Sequence, residues 1–318
     1  MLKLLLEATL LGSGSVKLGK PPVIEAWIEF KIDLTDEHSV WDANAANEFV
    51  AEHFPTFPHT DQMALAKITI DPRTHKPTTE IAGIERIRAF TENRDKCIQA
   101  GRNFVIYNHI KKGDCWPGYQ KLEPEAFEAL AKYMEFRGLP KLSGVALHYR
   151  DVCRMPQDDS GRLELTEYFT VHPQVPDIEF GTIGGFTIGI QTNDVCKDGS
   201  VTLTMQSMPR IDDTETMSAF TMDWHTVCTK TIDTIDTAKE WLGNAHNALR
   251  AVFKAAFTEK GFAQFEPIES EGAVMQEFNA QFEHFLDDAP ACDVCGAITV
   301  RHGTCYKCFN CGNSMAAS

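Results

Sequence analysis

The chain is short of positive charge. Lys and Arg number 30 against 45 Asp and Glu in 318 residues, a formal charge of -15 at pH 7. A field of that sign repels phosphate backbones and acidic membrane surfaces, which disfavours both as general partners unless positive charge is concentrated locally. No apolar run reaches the ~18 residues that span a bilayer. The opening apolar stretch is interrupted by Glu7 and lacks a small-residue cleavage pattern, so residues 1–22 read as a flexible leader, with a short helix over 2–11, and not as a signal peptide. Also missing are the Gly-x-Gly-x-x-Gly fingerprint, the Walker phosphate loop, the His-Glu-x-x-His helix and the Gly-x-Ser-x-Gly elbow. Those absences remove the commonest routes to nucleotide binding, zinc hydrolysis and serine chemistry. Gly181, Gly184 and Gly185 lack the spacing and helix entry of a phosphate loop.

What is present is a skewed distribution of cysteine. Cys292, Cys295, Cys305, Cys308 and Cys311 crowd the end of the chain, while Cys97, Cys115, Cys153, Cys196 and Cys228 are scattered singly. A secreted disulfide scaffold is normally small and cysteine-dense throughout; this pattern suits a reducing compartment with one metal knot, and the cytoplasm is the expected location.

Periodicity gives an outline. Ile24, Ala26, Ile28, Phe30 and Ile32 alternate with Glu25, Trp27, Glu29 and Lys31, the period of a strand with one face on a core. Trp27 is the exception on the polar face, either a contact residue or one covered by a packed element. Asp42 predicts a helix through His53, and strands are expected over 63–70, 84–90, 95–99 and 103–108. A second helix should run from Pro124 to Phe136, with Phe127, Leu130, Ala131 and Met134 inward. Strand-like text resumes at 142–150, 162–170, 186–191, 200–206 and 218–229, interrupted by a loop over 171–185 that could bind a ligand. A long helix capped by Asp236 carries an apolar stripe through Ala256 and ends at Gly261. The expected fold class is therefore α+β, a mainly antiparallel sheet covered by helices, with strand, helix and strands in each half suggesting two similar halves. This main domain spans 23–265. Residues 266–290 form an acidic connecting segment with seven carboxylates, no Lys or Arg between Glu266 and Asp288, and an amphipathic helix over about 273–286.

Residues 291–318 read as a small C-terminal zinc ribbon. Cys292 and Cys295 precede Gly296, and Cys308 and Cys311 precede Gly312, so each pair has a glycine that permits a tight turn beside the thiolates. Two Cys-x-x-Cys pairs present four soft ligands tetrahedrally, and a closed Zn2+ shell argues for structure over hydrolysis. Cys305 and His302 are alternative ligands, and an iron-sulfur centre or dithiol exchange would draw on the same sulfurs.

Two resemblances follow from these residues. The phrase Pro21-Pro22-Val23-Ile24-Glu25, the run Val145 to Arg150 and the late helix with His246 and Phe253 make residues 21–265 similar to a sporadically distributed, uncharacterised bacterial family that opens with a Pro-Pro-Val-Val-Glu-like phrase. That resemblance implies one α+β module and no assigned activity. The phrases Gly303 to Cys308 and Asn310-Cys311-Gly312 resemble the C-terminal zinc ribbon of vitamin-B12-dependent ribonucleotide reductases, and cover the tail alone.

Candidate chemistry in the main domain is fragmentary. Asp223 and His225 should share a strand face as an acid-base pair near Cys228, and Asp151, Cys153 and His148 form a second loose group. Against these stand a histidine bonded within a sheet and cysteines acting as small apolar fillers. The leading expectation is a non-enzymatic protein-binding or scaffold protein with an unidentified protein partner. The alternatives are an uncharacterised enzyme with a cleft in the main domain, or a nucleic-acid adaptor using Arg301, His302, Lys307, Tyr306 and Phe309, opposed by Asp293 and the acidic segment.

Overall fold

The computed structural model describes residues 17–34, 41–70, 72–74, 76–113, 116–173, 185–209, 216–268, 300–302, 305–307 and 314–316. The expected helices over 2–11 and 273–286, most of the 171–185 loop and Cys115 lie outside these. The chain divides into two compact units: one runs from Lys20 to Glu266, and the other holds the described residues within Gly12–Gly19 and Pro267–Ser318.

The first unit is built on nine strands: β2 (Val23–Asp33), β3 (His59–Ile70), β4 (Pro77–Phe90), β5 (Lys96–Gly101), β6 (Phe104–Ile110), β7 (Lys141–Pro156), β8 (Thr187–Cys196), β9 (Gly199–Ser207) and β10 (Met217–Cys228). They form one sheet in the order β3-β4-β5-β6-β2-β7-β10-β9-β8. Every neighbouring pair is antiparallel. The helices are α1 (Ala43–His53), α2 (Tyr119–Phe136), α3 (Leu165–Tyr168), α4 (Ile235–Ala255) and α5 (Glu259–Ala263). The α+β class with an antiparallel sheet is thus as expected. Chain order runs strand, helix, four strands, helix in β2-α1-β3-β4-β5-β6-α2 and strand, helix, three strands, helix in β7-α3-β8-β9-β10-α4, and in each the first strand lies beside the last.

Alternation along β2 decides which face is covered. Ala26, Ile28, Phe30 and Ile32 are buried, and the Phe30 ring meets Phe127 of α2 at 5.0 Å. On the same side Trp224 of β10 meets Phe253 of α4 at 5.9 Å, and Phe49 of α1 packs on Tyr133 and Phe136 of α2. Tyr133, fully buried, donates its hydroxyl to the Gly101 carbonyl at 2.6 Å and fixes α2 over the β5–β6 turn.

Several local readings change. Asp42 does cap α1, accepting the Asn44 amide at 2.8 Å. The cap of α4 is Thr234, whose hydroxyl accepts the Thr237 amide while Thr237 returns a bond to the Thr234 amide, so Asp236 sits inside the first turn. That helix stops at Ala255, short of Gly261, which belongs to α5. α2 starts at Tyr119 and keeps Pro124 inside it, because the early turn buries Leu122; its inward face carries Ala126, Ala129 and Tyr133, while Ala131 is exposed and Met134 half-buried. Residues 165–168 are helical, not extended, because Glu164 accepts hydrogen bonds from the Thr166 amide and hydroxyl and turns the chain.

Gly261 is fixed by a close approach: a Cβ there would lie 2.0 Å from the Tyr168 carbonyl oxygen, which already accepts the Thr258 amide at 3.0 Å. Because backbone must move to admit a methyl group, Gly261→Ala is expected to cost about 2 kcal/mol in urea unfolding. An unchanged midpoint would contradict the contact.

In the second unit β1 (Lys17–Leu18) pairs with β11 (Pro267–Ile268), and β12 (Val300–His302), β13 (Cys305–Lys307) and β14 (Ser314–Ala316) form an antiparallel meander.

Candidate functional site

The sheet face opposite the helices carries several polar side chains from neighbouring strands, and cross-strand register brings them together. A continuous chain of side-chain contacts crosses six adjacent strands. Arg86 Nη1 of β4 donates to Gln99 Oε1 of β5 at 3.1 Å, and Gln99 Nε2 donates to Asn108 Oδ1 of β6 at 3.0 Å. Asn108 Nδ2 donates to Glu25 Oε1 of β2 at 2.8 Å. Glu25 Oε2 lies 3.9 Å from Arg150 Nη1 of β7, and Arg150 Nε donates to Asp223 Oδ1 of β10 at 2.6 Å. Towards the sheet edge, Arg88 grips Asp61 through two hydrogen bonds of 2.7 and 2.8 Å. Asn108, 3% exposed, can be buried because its amide is bonded on both sides.

Beside this chain lies an aromatic row. Register sets Trp27 opposite His148 and His148 opposite His225. The Trp27 and His148 rings stack at 4.5 Å and 12°, and those of His148 and His225 at 3.9 Å and 16°. The Arg150 guanidinium sits 5.8 Å from the Trp27 ring centre. Burial pushes His148 down to about 2, with His225, Lys31 and Arg150 adding to the effect, and burial also lowers His225. Both imidazoles are therefore neutral near pH 7, and the three near-parallel rings form a face-to-face stack across β2, β7 and β10. His148 Nε2 is buried with no hydrogen-bond partner among the described residues.

On the helix side are two half-buried polar groups. Glu125 of α2 gathers Lys96 Nζ at 2.8 Å, Tyr107 Oη at 3.0 Å and His109 Nε2 at 2.7 Å. Burial opposes its charge, but these three donors hold the carboxyl below its usual range. Tyr149 and His246 Nδ1 are 2.9 Å apart, with Tyr119 stacked on the imidazole at 4.1 Å. Nearby in sequence, Asp151 accepts Trp224 Nε1 at 2.8 Å, and burial pushes its carboxyl up to about 7.

Asp223 and His225 do share the open face, as their spacing requires, but Asp223 is held by Arg150 and His225 lies against His148. Cys228 alternates to the other side, where its thiol contacts the Lys230 carbonyl at 3.5 Å. The second loose group is divided by the sheet: Asp151 and Cys153 are buried on the helix side and His148 is on the open side. Burial raises the Cys153 thiol well above its usual range, so it is an apolar filler. An open groove of about 720 Å³, lined by Asn47, Phe54, Phe57 and Asp61 among others, includes neither Asp223 nor His225. Sequence reasoning assigned no role to Arg86, Gln99, Asn108 or Glu25; Glu25 belongs to the polar half of the β2 alternation, whereas Asn108 shares its face of β6 with Phe104, Ile106 and Ile110 and gives no such signal.

Cys292, Cys295, Cys308 and Cys311 lie outside the described residues. Cys305 opens β13, in register with His302 and Ala316. Among the described residues no group of three or more His, Cys, Asp or Glu is placed to hold a metal ion, and no helix is long and apolar enough to cross a membrane.

Comparison with known proteins finds one short similarity. A 38-residue stretch, 12% of this chain, is 66% identical to part of the vitamin B12-dependent ribonucleotide reductase of Rhodopirellula baltica, of which it covers 4%. A match of that length is consistent with a ribbon-like segment. No family model matches the chain, and no solved structure matches it.

Proposed function

We propose that the chain is a non-enzymatic protein-binding or scaffold protein, which receives a protein partner on the open sheet face and carries a structural zinc ribbon at residues 291–318. The observation behind this reading is the open face itself: a Trp27–His148–His225 stack framed by an ion-paired ladder across six strands. Aromatic and Arg side chains supply most interface energy when held rigid, because little conformational entropy remains to be lost. A protein suits this face better than nucleic acid, since Arg86, Arg88 and Arg150 each already meet a carboxylate, at Glu85, Asp61 and Asp223.

Support for the ribbon comes from the two glycine-flanked Cys-x-x-Cys pairs and the antiparallel meander of β12, β13 and β14, and the 38-residue reductase identity is consistent with a ribbon-like segment. Cys292, Cys295, Cys308 and Cys311 would hold the ion, and Zn2+ in a closed thiolate shell would supply folding energy and no open position for a substrate.

Trp27→Ala and Arg150→Ala are expected to lower the recovery of a specific partner at least about tenfold in quantitative pull-downs, while the chain still unfolds cooperatively. Equal recovery with both variants would remove the open face from the interaction.

A further inference from the structure

Beneath α4, the end of the sheet gathers two thiols and several polar atoms that the fold leaves without partners. Register places Cys196 of β8 and Cys228 of β10 on either side of Gly199 of β9. A register shift between Thr192 and Cys196 lengthens β8 locally, and the turn through Asp198, at φ +59, returns the chain so that Cys196 meets Gly199. The glycine is the gap between the two cysteines. A Cβ there would lie 3.4 Å from Cys196 Sγ and 3.0 Å from Trp241 Cζ2 of α4, so the Cys196 sulfur leans over Gly199 and the indole covers it. Both thiols are free, and their hydrogen bonds are long ones to carbonyls, Cys196 to Lys197 at 3.7 Å and Cys228 to Lys230 at 3.5 Å.

The donors around this pair lack acceptors. Thr226 Oγ1 and Trp241 Nε1 have no hydrogen-bond partner among the described residues, in side chains of residues only 0% and 6% exposed. Thr192 Oγ1 is also buried and unpartnered, and Thr192 and Thr226 flank Val201 just as the cysteines flank Gly199. Burial raises the Cys196 thiol, the adjoining Thr226 hydroxyl lowers it, and Cys228 and Asp198 raise it, which puts these groups in one neighbourhood. Trp241 Nε1 is two bonds from Cζ2, on the indole edge that meets Gly199. An indole N–H can only donate, and a buried donor without an acceptor is costly. A thiolate is an acceptor, but a buried thiolate needs a cation beside it.

We propose that Cys196 and Cys228 together bind one thiophilic monovalent cation, Cu(I), between their sulfurs, with Thr226 and Trp241 donating to the thiolates. A disulfide does not fit here, because two strand spacings set the Cα atoms roughly 9.5 Å apart, beyond the ~7 Å that a disulfide spans. A bridging ion suits that gap, since two thiolate bonds of ~2.3 Å hold the sulfurs roughly 4.6 Å apart. Soft sulfur ligands select Cu(I), which accepts linear coordination and needs no third ligand. On binding, each thiol releases its proton to solvent and each sulfur gives an electron pair to the ion, whose oxidation state is unchanged. The product is a bis-thiolate with one negative charge, and the hydroxyl and indole then donate to charged acceptors. The site lies on the helix side of the sheet, opposite the Trp27 stack, and uses none of the tail cysteines.

The full chain is titrated anaerobically with Cu(I) supplied as its bicinchoninate complex, and bound ions are counted by native mass spectrometry. Cys196→Ser and Cys228→Ser should each bind one Cu(I) fewer than the unmodified chain. In the unmodified chain Cu(I) should also protect Cys228, the more exposed thiol, from iodoacetamide, and Cys308→Ser should leave that protection intact, which separates this site from the tail. The alkylation result needs no substitution at the site, so it holds even if a serine variant unfolds. Thr226→Val removes one donor, keeps the branched shape, and should weaken Cu(I) about tenfold against bicinchoninate. An equal Cu(I) count in the serine variants, Cys228 alkylated alike with and without the ion, or protection that Cys308→Ser abolishes overturns the proposal.

Discussion

Chelation of zinc is expected to release hydrogen-exchange protection throughout 291–318 while leaving that of residues 23–262 unchanged. A segment of this size has too little apolar material to fold alone, so in the proposed ribbon bound zinc would supply the difference, about 10–16 kcal/mol for a site of this ligand type. The nine-stranded sheet has its own buried core, from Phe30 and Leu147 to Trp224 and Leu249, so its protection is expected to be independent of zinc. One zinc per chain is expected before chelation. Cys308→Ser should abolish that stoichiometry, whereas Cys305→Ser should preserve it, which tests the choice of ligands. Loss of protection in both regions together would show that the ribbon is not an independent unit.

The second large effect is on acid stability. His148 is lowered to about 2 and His246 to about 4, mainly by burial, against about 6.5 in an unfolded chain. Below pH 6.5 the unfolded chain therefore binds protons that the folded one refuses. Their contribution is complete above that pH and falls by about 1.4 kcal/mol per pH unit for each residue as the solution is acidified, ending near pH 4 for His246. Asp151 acts in the opposite sense. Its carboxyl is raised to about 7, so between pH ~3.9 and that value the folded chain retains a proton the unfolded one releases, and stability is lost as pH rises. Asp151→Asn preserves an oxygen for the Trp224 indole but removes this titration. Relative to the unmodified chain, the variant should gain about 4 kcal/mol between pH 4 and pH 8, measured by urea unfolding. Parallel stability curves for the two proteins would show that Asp151 ionises normally in the fold.

The strands and helices that bury one face were readable because burial imposes a period. β2 follows from the alternation of Ala26, Ile28 and Phe30 with Glu25, Trp27 and Glu29, and α4 from the spacing of Ala238, Trp241, Leu242, Ala245 and Leu249. Ends were less legible because several residues nearby can make the same bond. Thr234 and Asp236 are both good caps, and only the reciprocal bond with Thr237 selects the first. Pro124 suits a first turn, yet burying Leu122 draws the helix back to Tyr119 despite one lost amide donor. The open face was legible as single oddities. Trp27 stood out on a polar stripe, but its neighbour His148 lies more than a hundred residues along the chain, and Asn108 is 83 residues from Glu25. No local pattern can join such residues, because their adjacency depends on β2 lying between β6 and β7.

The partner-binding account is tested most directly by native mass spectrometry of the chain purified gently from its own cells, beside Trp27→Ala and with metal determined on the same samples. The account predicts one zinc per chain and a stoichiometric protein companion that Trp27→Ala loses while keeping its zinc. A companion retained equally by both, or a chain that carries only a small molecule, would contradict it.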